Sequence, residues 1–271
     1  ASRGIGLELA RQFVRYGDNV LIASSSQQGI DNAYQSLAEE LNFASPEQIV
    51  ARKKCDVTKP AELKECYAYA LQVFTRRKID IVINNFGVGT TERDYLWNIS
   101  CEDIQKVVSV NLGGTLLSNK LAIQSFIESK QESALHIFNM TGAGTDGRTT
   151  PRFVTYAASK GGFNNIMKSV NKELKLAKLN EKVFVHQLQP GMVWTELMAK
   201  REQIEKNKPV LTDSKRYWMM NALLEDADVV AEWMVPKIRG VVTMKRPTPA
   251  FKIYFLTTSN VLPRIVGGLL F

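Results

Sequence analysis

Cysteine and histidine are scarce in this chain of 271 residues, which has three of the first (Cys55, Cys66, Cys101) and two of the second (His136, His186). The cysteines are odd in number and show no CxxC spacing. That argues against a disulfide framework and a zinc site, so reduced thiols are expected. Each histidine sits in an apolar, strand-like run, HIFNM or VFVHQLQ. Metal sites need clustered ligands, so both histidines read as structural and no protein metal is expected. No run of eighteen apolar residues occurs, which argues against a spanning helix. Internal repeats, low-complexity linkers and nucleic-acid-binding signatures are also lacking, and nucleic acid is not an expected partner. Acidic residues are in deficit, 27 against 35 Lys plus Arg, for a formal charge of +8. That balance favours anionic partners, such as a phosphorylated cofactor or an acidic membrane surface.

What is present suits one α/β domain over 1–271, since a chain of this size with 45% hydrophobic content buries a full core. Short, nearly continuous apolar runs at 19–23, 49–57, 79–85, 135–140 and 183–189 read as strands covered on both faces. Helical patterns near 6–16, 31–42, 60–77, 101–129 and 156–178 alternate with them, which predicts a doubly wound, Rossmann-like parallel sheet. The segment SRGIG after Ala1 already looks like the inside of a loop. The central first strand is therefore expected upstream of the chain, together with any targeting peptide, and the chain without it is expected to fold poorly. The charged stretch 196–224 is either a substrate-covering insertion or a solvated excursion. The apolar extension 241–271, interrupted by Lys252, Asn260, Pro263 and Arg264, is expected on the core, at an oligomer interface or on a membrane surface, in that order.

Chemistry concentrates at Tyr156-Ala157-Ala158-Ser159-Lys160. Four residues apart on a helix, the phenol and the ammonium share a face, and a cation beside a phenol favours the phenolate. The pair therefore reads as a tuned general acid and base. Gly4 and Gly6 open a helix where backbone amides meet a pyrophosphate, with Arg3 beside them. Ala23-Ser24-Ser25-Ser26 ends a strand where an NAD-selective site presents an acid, so NADPH is the expected cofactor. Asp56-Val57 either faces an adenine or caps the next helix. Asn84-Asn85-Phe86-Gly87 either holds a turn against a ribose or simply forms a loop. Asn111, inside VVSVNLGG, marks a kink or a water-holding amide.

The ordered set SRGIG, CDV, NNFG, VNLGG, YAASK and PGMVWT, spread over about 190 residues, resembles the short-chain dehydrogenase/reductases. The resemblance implies that Tyr156 exchanges a proton with the substrate oxygen. Lys160 would lower its pKa and hold the nicotinamide ribose, and Asn111 would anchor a relay water. It also implies cofactor contacts from Ser2, Arg3, Gly4, Ile5, Gly6, Ser24, Ser25, Asp56, Val57, Asn84, Phe86, Gly87, Pro190, Gly191, Val193 and Thr195. TGAGTDGRTTPRFVTYAASK, QPGMVWTELM and LLEDADVVAEWMVPKIRG are most similar to the chlorophyll b reductases of plastids. That similarity implies NADPH-dependent reduction of a 7-formyl group at a thylakoid membrane, with light-harvesting complexes and further subunits as partners and magnesium belonging only to the pigment. Another large apolar carbonyl, such as a lipid ketone or aldehyde, or a silent nucleotide-binding scaffold, are the alternatives. Three departures stand out. The usual catalytic serine falls at Gly142 or Ala143, leaving Thr141 or Thr145 to supply a hydroxyl. The NNAG turn reads NNFG. The arginine that often meets a 2′-phosphate is replaced by Ser25.

Overall fold

The computed structural model describes residues 1–40, 47–195, 223–244 and 250–257. In chain order its elements are α1 (Gly4–Arg15), β1 (Val20–Ser24), α2 (Gln27–Glu40), β2 (Val50–Lys54), α3 (Pro60–Val73) and β3 (Ile81–Asn84). Then come α4 (Cys101–Val108), a π-helical turn (Ser109–Gly113), α5 (Gly114–Ser129), β4 (Leu135–Met140), α6 (Val154–Gly161), α7 (Phe163–Leu176) and β5 (Val183–Gln189). The short strands β6 (Met192–Val193) and β7 (Leu224–Glu225), the helix α8 (Ala227–Val242) and β8 (Lys252–Tyr254) complete the set.

Every strand pair is parallel, in the orders β1-β2, β3-β4-β5-β8 and β6-β7. Among the described residues no strand pairs with both β1 and β3, and both edges line one large cavity. Strand numbers rise away from this gap in both directions, which makes it the topological switch point of a doubly wound sheet. The expected helix over 101–129 is interrupted by the π turn, and that over 156–178 breaks at Gly162. Residues 196–222, most of the expected insertion, lie outside the described set, as do parts of 241–271. The ends of that excursion meet, because Met192 and Val193 pair with Leu224 and Glu225. In the C-terminal extension, β8 pairs with β5 and buries Ile253 and Phe255.

Period-two alternation divides the core. On β4, Phe138 and Met140 face α1 and α8, packing with Leu9, Phe13, Met234 and Ile238. Leu135 and Ile137 face the other way, toward Ala122, Phe126 and Leu174 on α5 and α7. A separate cluster joins Ala10 and Val14 of α1 to Ile22, Ile30, Leu37 and Val50. All three cysteines are free thiols.

His136 and His186 stand side by side on β4 and β5, both fully buried. The Phe251 N–H donates to His186 Nδ1 at 3.1 Å, which places the His186 proton on Nε2. That proton is donated to His136 Nδ1 at 3.0 Å, so His136 carries its own on Nε2, an atom with no partner among the described residues. Burial pushes His136 down to about 4 and His186 down to about 3, the latter also repelled by His136. Both are therefore neutral in the fold, whereas the unfolded chain protonates them below about 6.5. Where the unfolded state binds more protons, stability falls as pH falls. Stability is expected to drop between pH 6.5 and 5, at up to about 1.4 kcal/mol per pH unit per histidine. Carboxylates titrate near 4, below this window. A melting temperature unchanged from pH 7 to 5 would contradict the neutral assignment.

Candidate active site

Helix α6 places Tyr156 and Lys160 one turn apart on one face. Lys160 is buried, 2% exposed, with Nζ donating to the Met140 carbonyl at 2.9 Å and lying 4.4 Å from the Phe163 ring centre. Taking the ammonium out of water lowers its pKa to about 7. The cation expected beside the phenol is therefore half-titrated near neutrality, and a nearby anion would hold it charged. The Tyr156 ring stacks on Phe153 at 4.5 Å.

Gly142 explains the missing serine. A Cβ built there would lie 2.6 Å from the Tyr156 hydroxyl oxygen, so the phenol stands where a side chain would begin. Residues 142–145 form a turn in which Thr145 N–H donates to the Gly142 carbonyl at 3.2 Å. Gly144 takes φ +89 in that turn, a type II arrangement that glycine alone adopts without strain. A Cβ on Gly144 would lie 2.6 Å from the backbone of Ala157, so the loop rests directly on the catalytic helix. Neither nearby threonine has an uncommitted proton. The Thr141 hydroxyl donates to the Leu188 carbonyl at 3.0 Å, and that of Thr145 to the Gly142 carbonyl at 2.8 Å.

Asn111 lies at the centre of the π turn, fully buried. Its oxygen accepts from Val88 N–H at 2.8 Å, and its amide donates to the Val88 carbonyl at 2.9 Å and to Ser159 Oγ at 3.0 Å. One side chain thus ties the loop after β3 to α6. The π turn is what aims it inward, a common use of such bulges at functional sites.

The nucleotide loops converge from the other side. Gly4 takes φ +55, and a Cβ there would touch Thr195 at 3.4 Å, which brings the first loop against the one after β5. The Ser2 and Ser24 hydroxyls meet at 3.0 Å. Asp56 accepts from Thr58 N–H at 3.0 Å and from its hydroxyl at 2.8 Å, and these bonds hold its carboxyl below the usual range. Gly191 takes φ +77 against Leu256. Phe86 fits because Gly114 is opposite it: a Cβ on Gly114 would lie 3.1 Å from the Phe86 ring and 2.9 Å from Val57.

The paired asparagines divide their labour. Asn84 is buried, donating to Asn139 Oδ1 at 2.8 Å and accepting from Ser118 Oγ at 2.6 Å, so its amide serves the sheet and α5. Asn85 points the other way, its Nδ2 lying 2.4 Å from where a Gly6 Cβ would be. Both asparagines line the cavity. Sequence reasoning named both in this turn and carried Asn84 alone into the site; Val88 it missed.

One cavity of about 2280 Å³ is lined by Tyr156, Lys160, Thr141, Val57, Phe86, Gly87, Pro190, Val193, Thr195 and the loops at Ser2–Gly6, Ser24–Ser25 and Asp56. Its volume includes the gap between β1 and β3. Asn111 does not line it and acts through Val88 and Ser159. The groove fits a dinucleotide: close backbone approach at Gly4 and Gly6, hydroxyls at Ser2 and Ser24, a lysine beside the phenol, and Ser24-Ser25 rather than a carboxylate at the end of β1. No group of three or more metal-ligating side chains occurs among the described residues.

A switch-point groove ending on a tyrosine–lysine pair defines a nicotinamide-dependent oxidoreductase. The chain belongs to the short chain dehydrogenase family, whose model matches residues 1–206. It is 37% identical over 265 residues to chlorophyll(ide) b reductase NOL of Arabidopsis thaliana, covering 98% of this chain and 70% of that one. To the NOL protein of Oryza sativa subsp. japonica it is 35% identical, covering 100% and 74%. Among solved structures it resembles an alcohol dehydrogenase from Thermococcus sibiricus complexed with 5-hydroxy-NADP, at a TM-score of 0.72 and 20% identity over 94% of this chain and 92% of that one. A 3-ketoacyl-(acyl-carrier-protein) reductase from Brucella melitensis complexed with NADH has the same TM-score, at 22% identity and 93% coverage of each.

Gly142 and Gly144 should fail differently. Gly142→Ala pushes only the phenol, so kcat should fall about 100-fold, as for a misplaced catalytic group, with the melting temperature nearly unchanged. Gly144→Ala meets backbone at a positive φ and should destabilise by on the order of 2 to 4 kcal/mol. Parallel kinetics and thermal melts check both, and equal effects from the two substitutions would contradict the assignment.

Proposed function

We propose that this chain uses NADPH to reduce the 7-formyl group of chlorophyll(ide) b to a hydroxymethyl group, in the chloroplast. The observation that carries this reading is the similarity along 98% and 100% of the chain to two chloroplastic reductases named for that substrate. The geometry at Tyr156 suits the chemistry. NADPH, when bound, supplies the hydride to the formyl carbon. As the C=O π bond breaks, its electron pair moves to oxygen, and Tyr156 gives that oxygen its proton. With no side chain at position 142, and with the Thr141 and Thr145 protons held by carbonyls, Tyr156 both holds and protonates the substrate oxygen. Lys160, near its midpoint at neutral pH, is held charged when anionic cofactor is present, and its charge then eases ionisation of the phenol.

Asn111 positions rather than contacts, through Val88 and Ser159. Gly4, Gly6 and Arg3 take the pyrophosphate end, Ser24 and Ser25 the adenosine ribose, and Val193 with Thr195 the carboxamide end. The serines in place of an acid after β1 favour NADPH over NADH. Work on a pigment housed in thylakoids implies peripheral contact with that membrane and its light-harvesting complexes, and assembly with further subunits. A net charge of +8 suits an anionic surface.

Purified protein given NADPH and chlorophyll b should accumulate the 7-hydroxymethyl product, resolved by its absorption and chromatographic mobility. Tyr156→Phe should lower kcat by at least about 100-fold while NADPH affinity is kept, because only the proton is lost. No product from the wild type, or turnover confined to lipid ketones, would refute the reading.

A further inference from the structure

A second set of aromatic and cationic side chains begins where the catalytic pair ends. Phe153 stacks on Tyr156, and the Arg93 guanidinium lies 5.8 Å from the Phe153 ring centre; both residues line the cavity. Next to Phe153, Arg152 crosses to the segment after β3, its guanidinium 4.6 Å over the Tyr95 ring and its Nη2 donating to the Tyr95 hydroxyl at 3.1 Å. Tyr95 in turn stacks on Trp97 at 4.8 Å with the planes 1° apart. Trp97 is 79% exposed, the largest exposure among the large apolar side chains described, with Tyr95 at 43% and Leu96 at 46% beside it. Arg152 holds φ +60, a left-handed conformation uncommon for residues other than glycine. An exposed indole stacked on an exposed phenol, next to a strained arginine and continuous with a reaction cavity, is a surface with a use.

We propose that the strip Tyr95, Trp97 and Arg152, continuing through Arg93 and Phe153, is the docking platform for the flat conjugated macrocycle of the substrate. The assignment rests on the function proposed above and names the residues that select for size and planarity. Stacked on Tyr95, the exposed indole of Trp97 presents its outer face to a disc-like ligand, whose edge then reaches Tyr156 along Phe153. Arg93 and Arg152 suit the carbonyl and carboxylate oxygens at such a ligand's rim. A small aldehyde needs none of this surface, so the platform contributes binding rather than chemistry.

The test compares wild type, Trp97→Ala, Trp97→Phe and Arg152→Gly on detergent-solubilised chlorophyll b and on a small aromatic aldehyde, with NADPH affinity measured for each. Trp97→Ala should raise KM for the pigment about tenfold, the scale of one lost stacking contact, with kcat within about twofold. Trp97→Phe should recover most of the loss, and Arg152→Gly, which relieves the φ strain, should still raise KM. Aldehyde turnover and NADPH affinity should not move. An unchanged pigment KM in Trp97→Ala overturns the platform. So does an effect seen only with pigment in anionic vesicles, which would make the face a membrane contact. Quenching of tryptophan fluorescence by chlorophyll b reads the platform without turnover. Binding that depends on Trp97 in an enzyme that makes no product would sink the reaction and keep the platform, and binding indifferent to Trp97 would do the reverse.

Discussion

Burying the Lys160 ammonium is the constraint around which the site is built. A lysine removed from water gives up solvation worth several kcal/mol, and here a single backbone carbonyl, that of Met140, accepts from it. Its pKa near 7 measures that shortfall. The lysine therefore acts as a charge that is available on demand, stabilised when an anion enters the groove. Its neighbours follow from this need for close packing. Gly87 lies 3.7 Å from Nζ by its built Cβ, Gly142 lets the phenol press onto backbone, and Gly144 lets the same loop rest on α6. Asn111 and Ser159 complete the enclosure with hydrogen bonds rather than bulk.

The same economy accounts for the missing serine. A Cβ at position 142 would lie 2.6 Å from the tyrosine oxygen as it stands, so a serine there would require the phenol to shift. With glycine, the phenol approaches the backbone directly. Tyr156 lines the cavity with Phe153 stacked on it, a flat aromatic wall in place of a polar one. Phe86 repeats the pattern, a large side chain admitted because Gly114 opposite has none.

Much of the fold was legible because a strand covered on both faces is largely apolar along its length. The runs at 135–140 and 183–189 match β4 and β5 residue for residue. Of the helix interruptions, that at Asn111 was legible only as a possible kink, and that at Gly162 not at all. The sequence VVSVNLGG does not say that the kink is a π turn, because the distinction lies in which carbonyl each N–H reaches. Thr115 Oγ1 bonding the Asn111 carbonyl at 2.7 Å is a tertiary outcome of the same kind. At the site, the Tyr156–Lys160 spacing was visible, but the burial that sets the lysine's charge was not. Asn85 was legible as part of the turn with Asn84, but not which of the two amides serves the sheet. Tyr95 and Trp97 were passed over because a three-residue 3-10 turn has no periodicity to reveal a face.

One helix packs against both halves of the sheet. Helix α1 buries two adjacent stripes: Leu9 and Phe13 enter the core of β4, β5 and α8, while Ala10 and Val14 enter that of β1 and α2. Asp18, just beyond its end, pairs with Arg239 on α8 and fixes the helix against the catalytic half. The loop that opens α1 carries Gly4, which touches Thr195 from the catalytic side, so the element joining the cores also aligns the two ends of the groove. Hydride transfer needs the reacting atoms held within a fraction of an ångström of a productive pose. Side-chain packing on α1 contributes to that precision, because the same helix is buried in both cores.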